Sequence, residues 1–116
     1  MATNADDLTV RERDGVTIVR FNNESLLGHD VEHLTNRIRA LVEGGVRRLV
    51  LDFKHVRYAG SAALGMALSL SKLLERAGGK LALSHTEGIE ALLKVTRSAQ
   101  LFTIAPDSKA AVALLA

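Results

Sequence analysis

The segment from Arg47 to Gly65 most constrains the fold, because it joins an apolar run to a polar turn and then to a helical pattern. A run of apolar residues without polar alternation is typical of a strand that is covered on both faces. The run ends at Asp52, and Ser61 opens a stretch rich in alanine and leucine. We therefore expect a strand, a turn and a helix. The Ser61 hydroxyl would then lie beside a helix N-terminus, where free N–H groups and the helix dipole favour an anion.

Strand-like and helix-like patterns alternate along the rest of the chain. Asp14-Gly15 is a hairpin turn signal, Asp30 is a candidate N-cap, and the first two helices end at paired glycines. The predicted strands cover residues 8–13, 15–21, 47–53, 80–84 and 101–104, and residues 22–29 are predicted to be a loop. The predicted helices begin near residues 30, 61, 87 and 106. This order, β-β-α-β-α-β-α-β-α, predicts an α/β fold with a mixed, mostly parallel sheet of about five strands and about four helices packed on it.

The predicted helices have apolar faces that should lie on the sheet. In the first helix these positions are Val31, Leu34, Ile38, Leu41 and Val42, and in the second they are Leu64, Ala67, Leu68, Ser71 and Leu74. The small residues of the second helix fall on all its sides, so that some of them should remain exposed as a low-relief surface for another protein. They are Ala62, Ala63, Gly65, Met66 and Ser69.

Composition limits the class of function. The chain has 116 residues, 47% of them hydrophobic, which predicts one domain over residues 8–116 after a flexible tail over residues 1–7. No cysteine, no basic leader and no long apolar run favour a cytoplasmic protein that is not inserted in a membrane. A net charge of +2 and 3% aromatic residues argue against nucleic-acid binding.

Two polar side chains of the central segment are candidate site residues. Ser61 is either an ordinary N-cap or a phosphoacceptor; we see no neighbouring base that would make it a nucleophile. Asp52 ends the central strand, at the sheet edge where ligand sites of open α/β folds collect. For Asp52 we prefer a solvated carboxylate at a strand–loop junction.

Residues 29–33 match the H-x-x-E-H pattern of a zinc hydrolase. Zinc would need His29 and His33 on one helical face and a third ligand, in addition to Glu32 of the pattern. If Asp30 caps the helix, His29 lies outside it and that geometry fails. Gly60 and Gly65 have the spacing of a P-loop, but Met66 stands in place of its lysine. We therefore predict no metal, no nucleotide and no other cofactor, and we keep a metal hydrolase only as a third alternative.

From about Gly15 onward the chain resembles the STAS domain, the fold of bacterial anti-sigma-factor antagonists. The signature of that family has valine, tyrosine, an acidic residue and serine, followed by serine or threonine and then Gly-Leu-Gly. Val56, Tyr58, Ser61, Leu64 and Gly65 match it in register. The chain departs from it at three positions, with Gly60 for the acidic residue, Ala62 for serine or threonine and Ala63 for glycine. Later in the chain, Thr96-Arg97-Ser98 stands where the family usually has Thr-Gly-Leu.

The resemblance implies a regulatory, non-enzymatic protein. Its partner would be an anti-sigma serine kinase of the histidine-kinase-like ATPase type, which phosphorylates Ser61 and thereby breaks the complex. The residues that the resemblance places at the partner interface are Asp52, Tyr58, Gly60, Ala62, Ala63, Leu64 and Gly65. Because the acidic neighbour of Ser61 is missing, a second reading is a STAS subunit that is never phosphorylated. It would act as a stressosome-type scaffold or as the cytoplasmic partner of an ABC lipid transporter. A homodimer also stays open.

Overall fold

A computed structural model describes residues 7–116, except the side chain of His29. The tail predicted for residues 1–7 therefore lies, apart from Asp7, outside the described residues. The strands are β1 (Leu8–Arg13), β2 (Val16–Phe21), β3 (Ser25–Leu26), β4 (Arg48–Asp52), β5 (Tyr58–Ala59), β6 (Lys80–Ser84) and β7 (Thr103–Ala105). The helices are α1 (His29–Glu43), α2 (Ser61–Arg76), α3 (Glu90–Val95) and α4 (Ser108–Leu115), with 3-10 turns at Thr86–Ile89 and Ala99–Leu101.

Five strands form one mixed sheet in the order β1-β2-β4-β6-β7, with β1 antiparallel to β2 and every other pair parallel. The hairpin between β1 and β2 turns at Asp14 and Gly15, whose φ values are 54° and 79°. Positive φ at both central positions matches the right-handed twist of the two strands, which is why Asp-Gly favours this turn. The predicted fold class, a mostly parallel sheet with four helices, is confirmed.

The sheet has a core on each face. Leu49 and Leu51 of β4 face one side and Val50 faces the other, and all three are fully buried. The larger core lies between the sheet and α1, α2 and α3, while α4 covers the second face with Ala111, Val112 and Leu115. Since successive strand residues point to opposite faces, a continuous apolar run is what a strand between two cores requires.

A second, two-stranded sheet occupies a region that the sequence predicts as a loop. β3 pairs in parallel with β5, so that residues 25–26 lie beside residues 58–59. Three further backbone bonds join the same segments: the N–H groups of Arg57 and Tyr58 donate to the Glu24 carbonyl at 2.8 and 3.1 Å, and that of Gly60 donates to Leu26 at 3.4 Å. Strands of two residues have no periodicity to detect, so the prediction of a loop over residues 22–29 is wrong here.

Helix boundaries differ from the prediction at two N-termini. α1 begins at His29 with Gly28 as its N-cap, so Asp30 lies in the first turn and is not the cap. α4 begins at Ser108 and is capped by Asp107, whose Oδ1 accepts a hydrogen bond of 2.8 Å from the Ala110 N–H. Pro106 therefore precedes the cap rather than occupying the first turn. The Asp107 side chain satisfies one of the free N–H groups of the first turn, which marks Asp107 as the N-cap.

The segment after β6 is also more irregular than predicted. The helix expected from residue 87 is divided into the 3-10 turn Thr86–Ile89 and the short α3. A further 3-10 turn ends at Leu101, so β7 begins two residues later than the predicted strand. Gly88 lies in the first of these turns, where a Cβ atom would overlap the carbonyl oxygen of Val56. This close approach requires glycine and holds the turn against the loop that leads to Ser61.

Candidate functional site

Ser61 is the first residue of α2, and it is exposed. The N-cap is Gly60, which is extended with φ −103° and ψ −175°, so the N-cap reading of Ser61 is wrong. Gly60 has no side chain with which to satisfy the first N–H groups of α2. These groups and the dipole of a 16-residue helix make the surroundings of Ser61 favourable for an anion.

The residues that precede Ser61 form an apolar rim around it. Tyr58 has 60% of its surface exposed and Leu27 has 49%, whereas Val56 is buried beneath them. Leu27 lies next to the N-cap, since a Cβ atom built on Gly60 would be 3.4 Å from its Cδ2 atom. Tyr58 and Gly60 are thus at the surface beside Ser61, where the sequence places them, and Leu27 is an addition that the sequence analysis missed.

The small residues of α2 divide between the core and the surface. Ala62, Gly65 and Ser69 are exposed, Leu64 is partly exposed, and Ala63 and Met66 are buried. The helix buries Ala67 and Leu74, as predicted, and also Ala63, Met66 and Leu70, which lie outside the predicted stripe. Ala63 therefore belongs to the core and is not at the surface, which corrects its prediction as an interface residue.

A groove runs between α1 and the exposed side of α2. Its volume is about 370 Å³, and α2 lines it with Ala62, Gly65 and Ser69. The polar wall on the side of α1 includes Glu32, Asn36 and Arg39, which the sequence analysis did not assign. Their spacing of four and three residues is that of one helix face, which the sequence could have revealed. That this face lies beside α2 is a matter of tertiary packing.

Asp52 does not face the site. Its side chain has no exposed surface and accepts three hydrogen bonds, from Arg20 Nε at 2.9 Å, from Ser108 Oγ at 2.8 Å and from the Lys54 N–H at 2.9 Å. Burial alone would raise the pKa of Asp52, but the Lys54 N–H, the Ser108 hydroxyl and the Arg20 guanidinium together hold that pKa below its ordinary value. The expectation of a solvated carboxylate is therefore wrong, and Asp52 has no surface to offer a partner.

The start of α1 bears on the zinc pattern of residues 29–33. Because α1 begins at His29, residues 29 and 33 both belong to the helix, so the expectation that His29 lies outside it is wrong. Among the described side chains, which omit that of His29, no group of three His, Cys, Asp or Glu residues could hold a metal ion. Over the same residues no helix has the length and apolar character of a membrane span.

Comparison with protein families matches residues 7–111 to the STAS domain. An anti-sigma-factor antagonist (STAS) domain protein from Planctomyces limnophilus superimposes with a TM-score of 0.83 at 22% identity, covering 100% of this chain and 99% of the other. An anti-sigma factor antagonist from Mycobacterium paratuberculosis gives 0.78 at 20% identity, with 99% and 98% covered.

The Bacillus cell fate determinant SpoIIAA in its phosphorylated form gives a TM-score of 0.68 at 17% identity, with 92% of this chain and 98% of the other covered. Likeness at these identities establishes a common fold. No curated protein matches the sequence.

Proposed function

Because the chain belongs to the STAS domain family, we propose that it is an anti-sigma-factor antagonist that phosphorylation of Ser61 switches off. Its partner is an anti-sigma serine kinase of the histidine-kinase-like ATPase type. The role is regulatory and not enzymatic. The observation that carries the proposal is the exposed Ser61 at the first position of α2, beside a groove lined with small residues.

The mechanism follows from the surroundings of the hydroxyl. In the unmodified protein the kinase packs against Tyr58, Leu27 and the low-relief surface formed by Ala62 and Gly65. Phosphate transfer leaves about −1.5 to −2 charges on Ser61. The helix N-terminus tolerates these charges within the protein itself. A docked partner would have to remove water from the same dianion, and the cost of desolvating an unpaired charge drives the complex apart.

The test is phosphate transfer in purified components. The protein is incubated with ATP and the ATPase-type kinases of its own host, and the intact mass is measured. We expect one added phosphate, which Ser61→Ala abolishes. Ser71→Ala is the matched control, because Ser71 is partly exposed on the same helix and does not line the groove, so it should not change the transfer. Phosphate that persists in Ser61→Ala would refute the assignment.

Complex formation is measured separately, by calorimetry with the same kinase. A Cβ atom added at Gly65 would meet nothing within 4 Å, so a side chain can start there without strain, and Gly65→Leu adds apolar bulk to the exposed side of α2. We expect it to weaken the complex about tenfold, which corresponds to about 1.4 kcal/mol. Ala113→Leu, an exposed position on α4, is the control for added apolar bulk. Equal affinities for the two variants would place the interface elsewhere.

A second candidate, a STAS subunit that is never phosphorylated, is favoured by one observation. Gly60 stands where the family signature has an acidic residue, and its extended φ of −103° is one that any residue can adopt. Backbone geometry therefore does not require glycine there. If no kinase phosphorylates the protein while a stable complex still forms, the fixed-subunit role, as a stressosome-type scaffold or an ABC-transporter partner, replaces the switch.

A further inference from the structure

The two faces of the five-stranded sheet differ in the charges that their strands expose. Ile18, Val50 and Ala82 point into the core beneath α4. Because side chains alternate along a strand, residues two positions away lie on the same face. The charged strand residues of this face are the ion pair of Arg20 with Asp52 and four exposed cations. We call these four the cationic patch: Arg11, Arg13, Arg48 and Lys80.

The cations of the patch are neighbours. Arg48 and Lys80 are in direct register on adjacent parallel strands. Arg13 of β1 lies in the same row across the sheet. With about 4.8 Å between strands, the Cα atoms of Arg13 and Lys80 are about 14 Å apart. Arg11 follows about 7 Å from Arg13 along β1. Like charges in such cross-strand positions repel each other.

No carboxylate within residues 7–116 pairs with the patch. None of its four cations takes part in an ion pair there. The Arg48 side chain reaches the hairpin turn, where its Nη1 atom would be 3.9 Å from a Cβ atom built on Gly15. Glu12 is in register with Thr17 and therefore faces the other side of the sheet. An anionic ligand would remove the repulsion that the protein itself leaves uncompensated.

α4 adds a low apolar ridge beside the patch. The side that packs on the sheet consists of Ala111, Val112 and Leu115, so Ala110 and Ala113 point away from it. Leu114 has 57% of its surface exposed. Among the described residues, the core under α4 includes none of β1, so the cations of that strand lie outside the cover of the helix. Because the outward side chains of α4 are short, a broad surface can approach both the helix and the cations.

The charge of the molecule is divided unevenly between the two sides of the sheet. On the side of α4 we count the patch, Lys109 of the helix, Asp14 of the hairpin turn and the N-cap Asp107. Of the 15 basic and 13 acidic residues of the chain, this side therefore has five and two apart from the ion pair of Asp52. All the other residues together have ten and eleven. The positive charge of the protein is thus concentrated on the α4 side.

An anionic membrane surface fits this pattern better than an acidic protein does. Five cations fall within the range of about 4–8 with which proteins recognise acidic lipids. Lipids diffuse to meet each cation, whereas the carboxylates of a folded protein must already match a spread of about 14 Å. The exposed Leu114 supplies an apolar contact of the kind that surface binding uses. A second copy related by two-fold symmetry would bring the same cations against each other.

We propose that the α4 side, with the cationic patch and Leu114, binds reversibly to an anionic lipid surface. The cations lie at the lipid headgroups, and Leu114 contacts the boundary of the acyl chains. α2 packs on the opposite face of the sheet, so Ser61 points away from the lipid and stays open to another protein. The proposal does not depend on the function proposed for Ser61, because no residue of that site belongs to the patch.

The test is sedimentation of the purified protein with lipid vesicles. One set of vesicles contains equal parts of phosphatidylglycerol and phosphatidylcholine, and the other contains phosphatidylcholine alone. We expect binding to the anionic set only. At about 1 M salt the Debye length falls from about 8 Å to about 3 Å, so the bound fraction should drop to the level of the neutral vesicles.

Charge-neutralising variants locate the surface. Arg48→Gln with Lys80→Gln should weaken vesicle binding about thirtyfold, since each cation contributes about 1 kcal/mol. Lys72→Gln with Arg76→Gln is the matched control, because it removes the same charge from exposed positions of α2. The molecule measures 32 × 29 × 24 Å, so this control pair lies beyond the Debye length from the lipid and should change binding less than about twofold.

Circular dichroism establishes that each double variant is folded. Arg11→Gln with Arg13→Gln repeats the test on β1, in case the first pair loses its structure.

Four results would overturn the proposal. The first is no binding to the anionic vesicles, and the second is equal binding to the neutral ones. The third is an equal loss of binding in the control pair on α2. The fourth is binding to polyglutamate without binding to vesicles, which would identify an acidic protein as the occupant.

Discussion

Replacing Asp52 with alanine removes the acceptor on which Arg20, Ser108 and the Lys54 N–H converge. Removing one partner of a buried ion pair costs about 3–5 kcal/mol, because a charge is left without compensation. Arg20 keeps 23% of its side chain exposed, so its guanidinium can recover part of its hydration. The buried Ser108 hydroxyl keeps only a 3.4 Å contact with the Ser84 hydroxyl, and the Lys54 N–H loses its side-chain acceptor. We therefore expect a loss of about 3 kcal/mol in the free energy of unfolding, at the lower end of that range.

Urea denaturation monitored by circular dichroism measures this loss, and the slope of the transition should not change. Asp107→Ala is the control, since it removes an exposed carboxylate that caps α4, the helix that carries Ser108. It should lower the free energy of unfolding by only about 1 kcal/mol. The Ser61 site should be unaffected in folded Asp52→Ala protein, because Asp52 has no exposed surface. A loss below about 1 kcal/mol would contradict the buried network.

The same variant has a defined pH dependence. The pKa of Asp52 is held below its ordinary value, so its stabilising contribution is present above about pH 4 and is lost as the pH falls through the folded-state pKa. The difference in stability between the unmodified protein and Asp52→Ala should therefore be constant from neutral pH down to about pH 5 and should shrink below about pH 4. A difference that grows at acidic pH would show that the pKa is raised instead.

Three glycines give further predictions. Gly88→Ala should lower the free energy of unfolding by about 2 kcal/mol or more, because the added Cβ would overlap the Val56 carbonyl. Gly65→Ala, whose Cβ would lie in open space on α2, should raise the free energy of unfolding by about 0.5–1 kcal/mol. Urea denaturation compares the two, and equal effects would refute the close approach. Gly60→Asp should raise the free energy of unfolding by about 0.5 kcal/mol, because aspartate is a good N-cap. It should also speed the phosphorylation of Ser61, which mass spectrometry over time would record. Slower phosphate transfer to Ser61 would show that the kinase does not recognise an acidic residue at position 60.

The parts of the fold that the sequence predicts correctly have strong local signals. Asp14-Gly15 specifies the hairpin, and the continuous run at residues 49–51 specifies a strand between two cores. The buried side of α2 was predicted correctly only at Ala67 and Leu74, because alanine, leucine and glycine surround that helix. With apolar residues on every side, the pattern does not indicate which side faces the sheet, and packing decides.

The site was predictable only where its residues are neighbours in the chain. Tyr58, Gly60 and Ser61 come from one short segment; Tyr58 and Ser61 are exposed and Gly60 is partly exposed, while their role in binding stays a prediction. The role of Asp52 could not be read in this way, because its partners Arg20 and Ser108 are 32 and 56 residues away. Burial of a carboxylate depends on donors that only the tertiary fold supplies.

The small sheet of β3 and β5 has a consequence for how any partner recognises the turn before Ser61. Because backbone bonds from Glu24 and Leu26 fix that turn, its conformational entropy is lost during folding and not during association. A partner would therefore meet a preorganised backbone, and a covalent group added at Ser61 should change the local charge without changing the backbone conformation. Structures with and without that group should superimpose to within about 1 Å over the Cα atoms.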